Sequence, residues 1–118
     1  MTTSTGLARF TLQELSGMFL GLWEAGRLRN CGNKGESDSK LLRIERGIGE
    51  LKGGFGLQSI RDFCRYDTSE DIGSMEQAIL NLRSGNYSYP ALVETCKTRG
   101  EKIRTLLMPF NRALYGSA

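Results

Sequence analysis

Apolar residues recur three or four positions apart through most of the chain, which is the spacing of helices rather than strands. In the first such segment, the residues that share one helix face are Leu12, Leu15, Phe19, Leu22 and Trp23. Just before this face, Thr11 and Glu14 match a capping box. Phe10 and Leu15 match the accompanying hydrophobic staple. The pattern therefore predicts a first helix from Leu12 to about Leu28.

Capping residues and glycines predict a second and a third helix. The second is capped at its start by Ser37, Asp38 or Ser39 and is stopped by the glycine-rich run 53–56. The third runs from Leu57 to about Tyr66. The residues of these two helices expected to face the core are Leu41, Ile44, Ile48, Leu51, Leu57, Ile60, Phe63 and Cys64.

Two more helices follow in the second half of the chain. The fourth covers 74–83, opens with a capping-box match at its first residue, and has Gly85 as its C-terminal stop. The fifth covers 90–108, with a proline in its first turn and Pro109 as its end. The fourth helix buries Met75, Ile79 and Leu82, and a last turn packs back onto the bundle through Phe110 and Leu114.

Length and composition indicate one folded domain spanning residues 1–118. The chain is 39% apolar and 25% charged, which is ordinary for a globular protein. Because the connections are short, neighbouring helices should be antiparallel, so we expect an all-α, compact bundle of about five antiparallel helices. No apolar run reaches membrane-spanning length and the first residues lack the pattern of a signal peptide. We therefore expect a cytoplasmic protein without a membrane partner.

The chemistry-bearing residues argue against an enzyme. The chain has no histidine, and its three cysteines form no zinc-binding set, so we expect neither a metal nor a cofactor. Cys64 and Cys96 are expected to be small core residues. The glycine cluster 47–56 fits neither phosphate-binding fingerprint. It either connects two tightly packed helices or leaves amides near Gly56 free to hold a phosphate or carboxylate.

Charge is distributed unevenly along the chain, whose formal net charge is +3. Met1–Ile60 has 8 basic against 6 acidic residues, Arg61–Cys96 has 3 against 6, and Lys97–Ala118 has 5 against 1. The basic excess is therefore concentrated at the C-terminal end, while the middle third is acidic.

The fifth helix carries most of this basic end. On a helical wheel Lys97 and Arg104 lie together on one flank of the apolar stripe, and Lys102 lies on the other. Arg99 falls inside the stripe, so its charge must be paired or must reach a partner through an opening. Two interpretations stay open for these residues, namely a solvated helix with snorkelling side chains or contact with nucleic-acid phosphates. Arg27, Arg29 and Lys34 could extend the same patch.

The first helix has a second feature, a pair of glycines four residues apart opposite its apolar face. Gly17, Gly21 and Leu28 could form an outward strip for contact with another subunit. The alternative is that both sides of the helix are covered within the monomer.

A five-helix bundle of this length, modestly basic, without catalytic residues and suited to lining up with copies of itself, resembles the small helical subunit of CRISPR effector complexes. The resemblance covers the general architecture of the whole chain. In that family the small subunits stack along the complex and contact the nucleic-acid backbone through Lys and Arg. The resemblance implies a nucleic-acid role for Arg27, Arg29, Lys97, Arg99, Lys102, Arg104 and Arg112. The acidic middle interrupts this surface and could instead meet a neighbour's basic end, head to tail.

Two functions follow as hypotheses. The first is a non-enzymatic subunit of a nucleoprotein assembly that binds RNA or single-stranded DNA without sequence preference and packs against other subunits, including copies of itself. The second is a protein–protein adaptor or inhibitor, such as a viral or phage factor, without nucleic-acid contact. Its contacts would be apolar patches such as Gly17–Gly21–Leu28 or Phe110–Leu114–Tyr115.

Overall fold

A computed structural model describes residues 4–115, and the side chains of residues 5–110. Its helices are α1 (Ser4–Asn30), α2 (Lys34–Gly53), α3 (Gly56–Cys64), α4 (Ser69–Ser84) and α5 (Tyr89–Tyr115). No strand occurs between residues 4 and 115. The prediction of an all-α bundle of five helices is confirmed.

The long helix α1 forms the centre of the bundle and packs against the four other helices. Its buried face extends the predicted stripe to Ala8 at one end and Ala25 at the other. Helices α2 and α5 run antiparallel to it. On α2, Ser37 donates a 2.8 Å hydrogen bond to the carbonyl of Ala25 near the C-terminal end of α1, and Gly47 lies against Met18 further back. On α5, Leu92 likewise lies against Gly26.

The predicted start of α1 at Leu12 is wrong, because the helix begins at Ser4. Thr11 is an interior helical residue, fully buried, whose hydroxyl donates to the carbonyl of Leu7 at 2.7 Å instead of capping a terminus. The staple does not form either, since Phe10 is exposed. The helix continues upstream because Ala8 extends the apolar face into the core, which outweighs the local capping signal.

Helix α2 begins at Lys34, because its N-cap is Asn33 rather than one of residues 37–39. The Asn33 side chain accepts a hydrogen bond from the amide of Glu36 at 3.2 Å. The predicted buried residues of α2 (Leu41, Ile44, Ile48 and Leu51) and its end in the glycine run are confirmed.

Helices α3 and α4 differ from the prediction mainly at their ends. Helix α3 stops at Cys64, where Arg65 adopts a left-handed conformation (φ 55°), and Phe63 is exposed rather than inward. Helix α4 begins at Ser69 instead of residue 74, since its first turn buries Asp71 and Ile72 in the bundle. Its predicted core residues and its stop at Gly85, which has a φ of 77°, are confirmed.

Helix α5 continues through Pro109, so the prediction that this proline ends the helix is wrong. Proline removes one backbone hydrogen bond of the helix interior. Phe110, the next residue, packs against the core, and this burial supports continuation of the helix. The predicted packing of Phe110 is confirmed, whereas the side chains of Leu114 and Arg112 lie outside the described residues.

Candidate nucleic-acid interface

The outward face of α1 is bordered by a depression on each side. The α5-side hollow lies between α1 and α5 and is lined by Ser16, Phe19, Leu20, Trp23, Val93, Cys96, Lys97, Gly100 and Arg104. The α2-side groove lies between α1 and α2 and is lined by Glu14, Gly17, Met18, Gly21, Lys40, Arg43, Ile44, Arg46, Gly47 and Glu50. The exposed residues Gly17 and Leu20 of α1 separate the two depressions.

At the α5-side hollow, Gly100 lies where α5 approaches α1. Gly100 is buried, and a Cβ placed on it would lie 4.0 Å from Cβ of Phe19. Lys97 and Arg104 lie one helical turn to either side of Gly100 and are both exposed. Neither forms an ion pair with any residue between 5 and 110. The structure thus brings together the two cations that the helical wheel placed on one flank.

Trp23 forms the edge of the α5-side hollow. The sequence placed it on the buried face of α1, but its side chain is 44% exposed. Its indole N–H donates a 3.0 Å hydrogen bond to the hydroxyl of Tyr89 at the start of α5. The hydroxyl of Tyr87 donates to Asn30 at 2.9 Å nearby, so the loop before α5 is fastened to the end of α1. The exposed indole is therefore held in one orientation.

The α2-side groove carries basic residues that the sequence analysis missed. Lys40, Arg43 and Arg46 occupy successive turns of α2 at its edge, and none is ion-paired with a residue in the described part of the chain. Their regular spacing of three residues was a usable signal, but only tertiary packing places them beside the same face of α1 as Lys97 and Arg104.

One part of the α2-side groove is acidic. Burial, together with the nearby carboxylate of Glu50, raises the pKa of Glu14 above its ordinary value. A phosphate would be repelled by these carboxylates. Anion binding is therefore favoured along the α2 edge of the groove, at Lys40, Arg43 and Arg46, rather than across the whole groove.

Four of the residues assigned to nucleic acid from sequence already contact another residue of the protein, and they are Arg27, Arg29, Lys102 and Arg99. The Arg29 side chain is only 8% exposed and bridges to Asp38 at 2.8 Å, so it braces the α1–α2 corner. Arg27 is exposed but ion-paired with Glu24, and this hydrogen bond lowers the pKa of the Glu24 carboxyl. Lys102 lies over the Tyr66 ring, 5.5 Å from its centroid. The side chain of Arg112 is outside the described residues.

Arg99 is paired inside the bundle. The sequence predicted that its charge would either be paired in this way or reach a partner through an opening. Its guanidinium donates to the fully buried carboxylate of Asp71 at 3.1 Å, and Glu70 lies 3.9 Å from it. Tyr66 donates to the other Asp71 oxygen at 2.6 Å. Burial, followed by the hydrogen bond to Asp71, raises the pKa of the Tyr66 hydroxyl strongly. Arg99 therefore joins α5 to α4 and is a structural residue in this fold.

The proposed outward strip on α1 is not continuous. Leu28 is buried, and a Cβ on Gly21 would lie 3.1 Å from the side chain of Ile44 on α2. Only Gly17 is open, with no atom within 4 Å of a Cβ placed on it. The monomer itself therefore covers two of the three residues predicted to form a subunit contact.

The glycine run before α3 serves as a tight connection. Gly56 is buried against Thr11, and a Cβ on it would lie 2.9 Å from the Thr11 methyl group. Among the described residues, no group of three or more His, Cys, Asp or Glu side chains lies close enough together to hold a metal ion. None of the helices described is both long and apolar enough to cross a membrane.

The three thiols differ sharply in their surroundings. Cys31 is exposed, Cys64 is partly buried and Cys96 is buried at the floor of the α5-side hollow. Burial raises the pKa of the Cys64 thiol, and it raises the pKa of Cys96 to about 11. The prediction that Cys96 is a small core residue is confirmed, while Cys64 packs at the edge of the core.

This difference predicts graded reactivity. At about pH 8 we expect a thiol reagent to modify Cys31 first, Cys64 more slowly and Cys96 only on unfolding, because the thiolate is the reacting species. Peptide mapping by mass spectrometry after timed labelling with iodoacetamide measures the order. Labelling of Cys96 in the native protein as fast as that of Cys31 would contradict its burial.

In comparisons with known proteins, no family model, no curated protein and no solved structure matches the chain. The functional assignment therefore rests on the geometry of the two depressions beside α1.

Proposed function

We propose that the protein is a non-enzymatic subunit of a nucleoprotein assembly that binds the sugar–phosphate backbone of RNA or single-stranded DNA without sequence preference. One observation carries this proposal. Cations without ion pairs among the described residues border the outward face of α1 on both sides. Arg43, Arg46, Lys97 and Arg104 are exposed, and Lys40 is half-buried. Cations spread over two helices favour a long polyanion over a single small anion.

The ion-pairing pattern supports this location. Several basic residues on the α3 and α4 side are ion-paired, as in Lys52–Glu76 at 2.7 Å and Arg83–Glu45 at 2.5 Å, although Arg65 at the end of α3 is exposed and forms no ion pair among the described residues. Around α1, by contrast, the cations of both depressions remain available to a partner. We propose that this assembly is a CRISPR effector complex, in which the protein is the small subunit. There it would work in the cytoplasm and pack against other subunits or copies of itself.

Binding to fluorescein-labelled single-stranded RNA and DNA tests the proposal. Contact of the five cations with phosphates predicts a slope of log K against log salt of about −3 to −4. Affinity should then fall about a hundredfold between about 50 and 200 mM salt. Fluorescence anisotropy at several salt concentrations measures the slope.

The double variant Lys97→Glu/Arg104→Glu should weaken binding more than tenfold, to the same extent for all sequences, and reduce the slope by about 1.4. The variant Lys52→Glu/Arg61→Glu changes the net charge equally on the α3 and α4 side and serves as the matched control. Equal losses in both variants would show that net charge, rather than this interface, governs binding. Salt-insensitive association with a protein, without oligonucleotide binding, would instead favour the adaptor function.

A further inference from the structure

We infer that Trp23 is a stacking platform for an unpaired base, so that the α5-side hollow binds single-stranded rather than duplex nucleic acid. This inference rests on the proposed function and deepens it, because it names the form of nucleic acid that the surface takes. The ligand is an unpaired nucleobase with its adjacent phosphate, which RNA and single-stranded DNA both provide.

The indole is both accessible and fixed. Trp23 is 44% exposed, and its N–H is held by the Tyr89 hydroxyl at 3.0 Å. Since the polar atom of the ring is already bonded within the protein, the accessible part of the side chain is apolar ring surface. A rigid aromatic surface loses little conformational entropy when a planar group settles on it.

The neighbouring charges match a base joined to phosphates. Lys97 and Arg104 line the same hollow as Trp23, and both lack an ion pair among the described residues. A strand with one base on the indole would place its flanking phosphates beside these two cations. Proteins that bind single strands without sequence preference combine these two elements, a stacking aromatic and a basic groove.

The same geometry disfavours a duplex. In a duplex the base faces are covered by their neighbours in the stack, so a side chain lying at a hollow of the protein surface reaches only the backbone. Leu20, which is 52% exposed beside Trp23, adds apolar surface that a base face covers better than a phosphate does. The occupant to which the hollow is best suited is therefore an unpaired nucleotide.

The test compares oligomers of one length and charge that differ in whether they carry bases and in which sugar they carry. Wild-type protein is titrated with oligodeoxyuridylate, oligouridylate and an abasic deoxyribose oligomer of the same length and charge. Trp23 is the only tryptophan, so its fluorescence reports directly on the site. We expect quenching by the two base-containing oligomers and an affinity about fivefold to a hundredfold above that for the abasic oligomer.

Three variants separate stacking from charge and folding. Trp23→Ala should lose the preference for bases while keeping its affinity for the abasic oligomer, and Trp23→Phe should retain most of the preference. Because both variants lack the tryptophan reporter, the anisotropy of fluorescein-labelled oligomers measures their affinities. Phe63→Ala, which removes an exposed aromatic residue on α3, should behave as wild type. Circular dichroism melts establish that each variant is folded.

The outcomes test base stacking on Trp23 separately from the proposed binding of the nucleic-acid backbone. Loss of base preference in Trp23→Ala supports stacking, and the oligomer on which the loss is larger identifies the sugar. Equal wild-type binding to all three oligomers, or an unchanged preference in Trp23→Ala, overturns stacking but leaves backbone binding in place. No binding to any oligomer at about 50 mM salt overturns the proposed function and this inference together.

Discussion

Replacing Arg99 with alanine is expected to lower the free energy of unfolding by about 3 kcal/mol. Asp71 is fully buried, and its carboxylate accepts hydrogen bonds from Arg99 and Tyr66. Removing the guanidinium leaves a buried negative charge with a single neutral donor. Urea unfolding followed by circular dichroism measures the loss.

Arg61→Ala is the control for this prediction. Arg61 also pairs with an aspartate, Asp67 at 3.4 Å, but both side chains are more than half exposed. Exposed pairs contribute little, so we expect a change below about 0.5 kcal/mol. A loss under 1 kcal/mol for Arg99→Ala would show that water reaches Asp71 and that the pair does not hold α4 to α5.

Alanine at Gly26 and alanine at Gly17 should have opposite effects although both lie on α1. Gly26 is buried, and a Cβ there would overlap the Leu92 side chain and lie 3.5 Å from the Tyr89 ring. Overpacking of this kind costs about 1–3 kcal/mol. Gly17 faces open space, so alanine there should stabilise the protein by about 0.5–1 kcal/mol through helix propensity alone.

The same urea unfolding assay measures the free energy of unfolding of both glycine variants. Both substitutions gain the same helix propensity, so the difference between their free energies gives the packing cost at Gly26. Equal stabilisation by both substitutions would mean that α5 can move away from Gly26 without loss. Gly26→Ala should also disturb the Trp23–Tyr89 hydrogen bond, since Tyr89 adjoins the added methyl group, and a shifted tryptophan emission spectrum would report it.

The sequence predicted the helices and their buried faces well, because apolar periodicity reflects burial directly. Helix ends were less predictable where a local signal competed with tertiary packing. Thr11 resembles a cap but is buried in mid-helix, and Pro109 resembles a stop but precedes a residue that packs on the core. In both cases burial of neighbouring side chains outweighed the local preference.

The candidate interface was predicted in part, for a similar reason. The apolar periodicity of α5 placed Lys97 and Arg104 on the same flank of its apolar stripe. It also placed Arg99 inside that stripe, where its charge needs a partner. It could not show that Lys40 and Arg43 of α2 border the same face of α1, because that depends on how three helices pack. Nor could it show that Arg29 is withdrawn into an ion pair with Asp38.

The pairing of α1 with α5 also bears on how the chain acquires its structure during synthesis. The hydrogen bond between Trp23 and Tyr89 joins residues 66 positions apart, and α5 covers much of the apolar face of α1. A ribosome therefore releases α1, α2, α3 and α4 before the helix that completes the core has emerged. Until then the nascent chain exposes the part of the apolar face of α1 that α5 covers, including Phe19, so this interval is when the protein is most prone to aggregate.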